Sequence, residues 1–358
     1  MTEHLPSLFT WFHPTRVVFG AGALGGLPSL VAETAGARAR VFLVTGRRSL
    51  RAAGVLEPVL EALGPGRVTL FENTPPFPSP ATAAQALEAC RRSAADVVVA
   101  IGGGSAMDVA KLVAVAMTHG GTPEAYATRQ APLERPGLPV VAVPTTSGSS
   151  SEVTPFVALW DLPGKRSMHL ASPFLFPRVA VVDPDLARGM PASLAAVTGA
   201  DAFTSAFESY WSTEATPLTD ALNLEVIRLF AGHLAASCAV ADPEARAACA
   251  LAATVSGMAY THSRPNACHA VSSPLTLYWD VAHGQAVCVT LPAFLRWTAE
   301  AMAPKLPALW RALGVDGLDA AVGRLTRLFA ACGLATRLGA LGVGPDGVET
   351  LVEHMRWE

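Results

Sequence analysis

Four short apolar runs alternate with Ala-rich stretches through the first half of this 358-residue chain, and that alternation decides the fold class. The runs are Val41-Phe42-Leu43-Val44-Thr45, ending at Gly46; Arg67-Val68-Thr69-Leu70-Phe71, followed by Asn73-Thr74-Pro75-Pro76; Asp96-Val97-Val98-Val99-Ala100-Ile101, ending in three glycines; and Leu138-Pro139-Val140-Val141-Ala142-Val143, ending at Pro144. Residues 81–94 and 106–118 between them are Ala-rich and helical in character. Strand and helix in turn at this spacing argue for a parallel sheet with helices on both faces. Val179-Ala180-Val181-Val182 before Asp183-Pro184 reads as a last strand and a stop. Beyond it, residues 192–262 and 304–358 show apolar positions at helical spacing, with caps such as Thr216-Pro217. The expected architecture is an α/β domain with a parallel sheet over residues 1–185 and an all-α domain over residues 186–358. In parallel sheets ligands bind at the carboxyl ends of the strands, where the glycines and threonines of this chain fall.

Apolar residues make up 51% and charged residues 15%, which fits a well-buried globular protein and excludes a disordered one. The net charge of −3, without a basic block, argues against nucleic acid and anionic membranes as partners. No apolar run is long enough to span a bilayer, and the segment Met1-Thr2-Glu3-His4-Leu5-Pro6 does not read as a signal peptide. Six cysteines without CxxC spacing read as reduced core thiols of a cytoplasmic protein.

Three segments at strand ends are candidates for holding a nucleotide. Gly102-Gly103-Gly104-Ser105-Ala106-Met107-Asp108 with Lys111 follows a strand and opens a helix. Glycines let the backbone approach a pyrophosphate, and the helix N-terminus adds free N–H groups and positive dipole. The alternative is an ordinary tight turn with Asp108 as a first-turn acid. Pro144-Thr145-Thr146-Ser147-Gly148-Ser149-Ser150-Ser151 can ring a cofactor with hydroxyls, or simply cap the next helix. Gly46-Arg47-Arg48 lacks the acidic residue that would repel a ribose 2′-phosphate, and its arginines favour NADP over NAD unless they are plain surface residues.

Asp201, His269 and His283 have the residue types of ligands for a divalent cation. Asp201 lies in a helical segment, and Ser205 shares its face one turn later. A histidine at 205 would complete a set of one carboxylate and three imidazoles; a serine hydroxyl is a poor neutral ligand.

The stretches GGGSAMDVAK, PTTSGSSSEVTPF, TGADAFTSAFE and CHAVSSPL…AHGQA, in this order and spacing, resemble the group III, iron-containing alcohol dehydrogenases from about residue 10 to the C-terminus. The resemblance implies an N-terminal dinucleotide-binding domain followed by a helical domain, and a homodimer as a common state. It places Gly103, Gly104, Ser105, Thr145, Thr146 and Lys165 against NADPH or NADH, and Asp201, His269 and His283 on iron or zinc. Ser205 departs from the family's second ligand, a histidine, and Ser273 stands where many relatives have a histidine. Trp160-Asp161, Gly164-Lys165-Arg166-Ser167-Met168-His169, Glu208-Ser209-Tyr210-Trp211 and Ser263-Arg264-Pro265-Asn266-Ala267-Cys268-His269 are most similar to the phosphonoacetaldehyde reductases of that family.

The expected function is therefore NAD(P)H-dependent reduction of a small aldehyde, phosphonoacetaldehyde, to 2-hydroxyethylphosphonate. Asp201, His269 and His283 hold the metal, a histidine such as His269 or His283 delivers the proton, and Arg264, with Lys165 or Arg166, holds the phosphonate. Two alternatives stay open: a metal-independent reductase of another small carbonyl compound, similar to maleylacetate reductases, and a nucleotide-binding protein without activity.

Overall fold

The computed structural model describes residues 8–238 and 242–355. It divides into two compact units: residues 14–146 with 150–189, and residues up to 13 with 147–149 and everything from 190 onward.

The first unit is built on six parallel strands: β1 (Arg16–Phe19), β2 (Val41–Gly46), β3 (Val68–Thr74), β4 (Val97–Gly102), β5 (Val140–Pro144) and β8 (Val179–Val182), in the order β1-β8-β5-β4-β2-β3. The five strands expected from the sequence are β2, β3, β4, β5 and β8. Helices α1 (Leu27–Ala35), α2 (Ser49–Ala52), α3 (Leu56–Leu63), α4 (Pro80–Ser93), α5 (Gly104–His119) and α6 (Pro123–Ala127) connect them. Successive strand residues point to opposite faces, and each face has its own core. Val41, Leu43, Val97, Val99 and Val141 pack against Leu27 and Leu30 of α1 and Leu56 and Val59 of α3. Phe42, Val44, Val98, Ala100 and Ala142 pack against Leu87 of α4 and Val109 and Val113 of α5. Both faces of the central strands β2, β4, β5 and β8 are buried, so these strands read as apolar runs.

Two further elements were not expected. β1 is a four-residue edge strand, partly exposed along its length and too short to show a period. β6 (Phe156–Asp161) and β7 (Arg166–Ala171) form a separate antiparallel hairpin. Its turn is closed by Asp161, whose Oδ1 accepts a hydrogen bond from the Gly164 amide at 3.0 Å, and by Lys165 at φ 52°. Val157, Leu159, Met168 and Leu170 of the hairpin join the core under α5.

The second unit is helical: α7 (Ala192–Trp211), α8 (Pro217–Cys238), α9 (Pro243–Ser263), α10 (Ala267–Trp279), α11 (His283–Cys288), α12 (Leu291–Thr298), α13 (Leu306–Leu313), α14 (Leu318–Ala331) and α15 (Pro345–His354). Phe203 is the aromatic centre of this core, in ring contact with Phe207, Phe230 and Phe329. α7 and α8 approach closely at Gly199, where a Cβ would sit 2.4 Å from Leu234. All six cysteines are free, five of them buried. Among the described residues no helix is long and apolar enough to cross a membrane.

Candidate metal centre and nucleotide loops

In the helical unit, α7 presents Asp201, Ser205 and Glu208 on one face, at i, i+4 and i+7. α10 brings His269 to this face, and His283 begins α11. One ligand atom from each of Asp201, His269 and His283 lies within 4.8 Å of the others. Asp201 Oδ1 is 3.4 Å from His269 Nε2, and the two imidazoles meet edge to face at 5.6 Å. Ser205 Oγ lies 3.5 Å from the same Nε2.

Glu208, which the sequence reading did not assign a role, sets the orientation of His269. It is completely buried, and its Oε1 accepts the amides of Asn266 (3.1 Å), Cys268 (2.5 Å) and His269 (3.3 Å) at the start of α10. A carboxylate satisfies the unpaired N–H groups of that first turn and meets its positive end. Oε2 accepts a hydrogen bond from His269 Nδ1. An ionised carboxylate only accepts, so Nδ1 carries a hydrogen toward Glu208, and Nε2 is the nitrogen turned toward Asp201.

Gly284 was likewise missed. A Cβ there would lie 1.7 Å from the Val197 carbonyl oxygen and 3.3 Å from Asp201 Cβ. Only glycine lets the start of α11 lie directly on α7, and this contact puts His283 beside Asp201. Ser272 Oγ donates to the His269 carbonyl at 2.8 Å and lies 3.5 Å from His283 Nδ1. Ser273 is half-buried on α10, one turn after His269.

The electrostatics match this geometry. Burial pushes the His269 imidazole down, but Glu208 and Asp201 on its two nitrogens more than reverse this and hold its pKa at about 10. Burial would raise the Asp201 carboxyl, yet His269 and His283 hold it below the usual carboxylate range. Burial lowers the His283 imidazole, against the pull of Asp201 and with the repulsion of His269. The cluster favours positive charge between its carboxylates and keeps one imidazole neutral. Those are the properties a divalent cation needs, and one carboxylate with two imidazoles suits iron or zinc.

In the other unit, β3 and β4 lie on opposite sides of β2, so the chain reverses direction across the sheet between β2 and β4. Crevices at such switch points are where open α/β sheets bind ligands. Gly46 ends β2, with Arg47 and Arg48 exposed after it. Arg47 Nε donates to Asn73 Oδ1 at 2.6 Å. Gly103 caps α5, whose first turn holds Gly104 and Ser105. Thr145 donates its amide to the Gly102 carbonyl at 2.9 Å, and a Cβ on Gly103 would crowd Thr146 Oγ1 at 3.3 Å.

Asp108 is hydrogen-bonded within its own unit. Its Oδ1 accepts from Ser151 Oγ at 2.6 Å and its Oδ2 from the Ala158 amide at 2.9 Å, so both oxygens brace α5 to the loop after β5 and to β6. Lys111, one turn on, is buried and donates to the carbonyls of Ser151 (3.0 Å), Thr154 (3.1 Å) and Phe156 (2.5 Å). Burial lowers its pKa to about 8 against the pull of Asp108 and Glu152. Lys165 is exposed in the hairpin turn. Ser149 belongs to the helical unit, where its carbonyl accepts from the Tyr260 hydroxyl at 2.7 Å. Arg264 ends α9 at φ 50°; it is exposed, and its guanidinium has no hydrogen bond or ion pair with a described residue.

Residues 14–184 match the family described as iron-containing alcohol dehydrogenase, and residues 195–356 match the C-terminal part of the Fe-containing alcohol dehydrogenase family. The chain belongs to the iron-containing alcohol dehydrogenase family and is an oxidoreductase. It is 36% identical to the phosphonoacetaldehyde reductase of Streptomyces viridochromogenes, over 80% of each chain. It is 30% identical to the lactaldehyde reductase of Escherichia coli K12, over 94% of this chain and 90% of that one. Among solved structures, the sulfoacetaldehyde reductase of Bifidobacterium kashiwanohense in complex with NAD+ superposes with a TM-score of 0.92 at 28% identity, covering 98% of this chain and 93% of that one.

Proposed function

We propose that this chain reduces phosphonoacetaldehyde to 2-hydroxyethylphosphonate with a reduced nicotinamide nucleotide, NADPH in preference to NADH. The observation that carries the substrate is Arg264: an exposed guanidinium without a partner among the described residues, five residues before His269. A guanidinium left unpaired in this way is suited to a tetrahedral oxyanion, which it binds through two parallel hydrogen bonds. The identity to a phosphonoacetaldehyde reductase supports the same reading.

When bound, the nucleotide supplies hydride and a divalent ion supplies Lewis acidity toward the carbonyl oxygen. Asp201, His269 and His283 are the residues that would hold the ion, with Glu208 keeping the His269 ring in the right tautomer. Gly103, Gly104 and Ser105 offer amides to a pyrophosphate, and Arg47 and Arg48 offer charge to a 2′-phosphate. Arg264 fixes the oxyanion end of the substrate, which orients the aldehyde.

The test is oxidation of NADPH and NADH by the purified protein with phosphonoacetaldehyde, sulfoacetaldehyde and lactaldehyde, each with and without chelator. A kcat/KM highest for phosphonoacetaldehyde and abolished by chelator is expected. Equal turnover of lactaldehyde would end the substrate assignment. Chelator-resistant turnover would favour the metal-independent alternative, and nucleotide binding without turnover of any carbonyl compound would remove the enzymatic reading.

A further inference from the structure

Asp201, His269 and His283 make three ligands, and no fourth histidine, cysteine or carboxylate joins them among the described residues. Zinc and iron sites take at least four. Ser205 borders the cluster, one helical turn after Asp201, with Oγ 3.5 Å from the nitrogen that His269 turns toward Asp201. Ser205 is only 3% exposed, so its hydroxyl is buried beside the cluster. Its hydroxyl is neutral and a weak donor of electron density. A divalent ion on one carboxylate and two neutral imidazoles keeps a net positive charge, and the missing ligand is best supplied by an anionic oxygen.

We propose that the Ser205 side of this cluster is a coordination position filled by the substrate's own oxyanion, so that metal and oxyanion bind cooperatively. This inference rests on the proposed reading of the site. An aldehyde with an oxyanion on the adjacent carbon presents its carbonyl oxygen and one oxyanion oxygen to a single cation as a six-membered chelate. A simple aldehyde offers one oxygen only. Ser205 is thus a specificity-determining residue: its smallness selects two-carbon aldehydes that bring an anionic oxygen, while Arg264 pairs with the remaining oxyanion oxygens. By linkage, the factor by which metal raises oxyanion affinity equals the factor by which oxyanion raises metal affinity.

The experiment is a Co2+ titration of the metal-stripped full-length chain, followed by the visible absorption of the bound ion, alone and with saturating 2-hydroxyethylphosphonate, methylphosphonate or ethanol. The expected result is that 2-hydroxyethylphosphonate tightens Co2+ binding at least about tenfold and alters the spectrum, while ethanol does neither. Ser205→His supplies an imidazole one turn from Asp201. It should bind Co2+ more tightly without any oxyanion and lose most of the coupling. Ser205→Ala should keep the coupling, because the hydroxyl is not the ligand; this variant still decides the matter if the histidine variant does not fold. Co2+ affinity indifferent to 2-hydroxyethylphosphonate would overturn the inference, as would coupling undiminished in Ser205→His or lost in Ser205→Ala. If phosphonoacetaldehyde is the preferred substrate yet coupling is absent, only this inference fails. If coupling is present without that preference, the open position stands and the substrate assignment falls.

Discussion

Glu208 holds four donors at once: three amides at the start of α10 and the Nδ1 hydrogen of His269. Glu208→Gln separates its two tasks. The amide oxygen can still accept from α10, but the amide nitrogen now donates toward Nδ1. The imidazole then carries its hydrogen on Nε2, where a metal would bind. Zinc affinity is expected to fall about 10- to 100-fold with the circular dichroism spectrum unchanged, measured by equilibrium dialysis; unaltered affinity would show that tautomer control does not matter here. Glu208 lies one helical turn past Ser205 on the face of Asp201, so its position was legible in the sequence. Its role was not, because the α10 terminus it caps is distant in the chain. Arg264 is the opposite case, visible in the sequence and without a partner among the described residues. Loss of a charged hydrogen-bond pair costs about 1.5–3 kcal/mol, so Arg264→Ala should raise KM for phosphonoacetaldehyde roughly 10- to 100-fold with kcat little changed. Steady-state kinetics that leave KM unmoved would take Arg264 out of the site.

Close approach of elements explains what side-chain chemistry alone does not. The Gly284 position meets backbone of α7, which cannot swing aside as a side chain can. Gly284→Ala must therefore displace α11 from α7 and carry His283 away from Asp201. Overpacking of this kind costs about 1–3 kcal/mol; a lowered Tm together with lost zinc binding is expected, and a variant that binds zinc normally would show that α11 tolerates the shift. Lys111 illustrates a different constraint. A lone lysine in a glycine-rich motif invites a phosphate-binding role, yet its ammonium gathers three carbonyls between the loop after β5 and β6. Lys111→Met leaves those acceptors without a donor and should destabilise the protein by about 3 kcal/mol or more, read by urea unfolding. The hairpin β6–β7 escaped the sequence reading because its turn residues, Gly164 and Lys165, were read as part of a motif, which hid the alternation of Val157 and Leu159 beneath it.

At the scale of the whole chain, the parallel sheet was legible because both its faces are covered, which leaves mostly apolar residues in its central strands. What no strand pattern reveals is strand order, and order places the reversal between β2 and β4. That reversal sets Gly46 with its two arginines and the Gly103–Ser105 turn at the carboxyl ends of adjacent strands. A ligand that binds only the folded protein stabilises it by mass action, by about 2.7 kcal/mol at a hundredfold excess over Kd. NADPH should therefore raise Tm at lower concentration than NADH does. A phosphate monoester carries about −1.5 to −2 charges at neutral pH, whereas the ribose hydroxyl it replaces is neutral and binds well to a carboxylate. The double variant Arg47→Glu/Arg48→Glu should then reverse the order, with NADH the stronger stabiliser. Arg47 has an internal partner in Asn73, whereas Arg48 has none among the described residues, so Arg48→Glu alone should produce most of the change. If both nucleotides protect the variants as they protect the parent chain, the adenosine ribose does not lie at the end of β2.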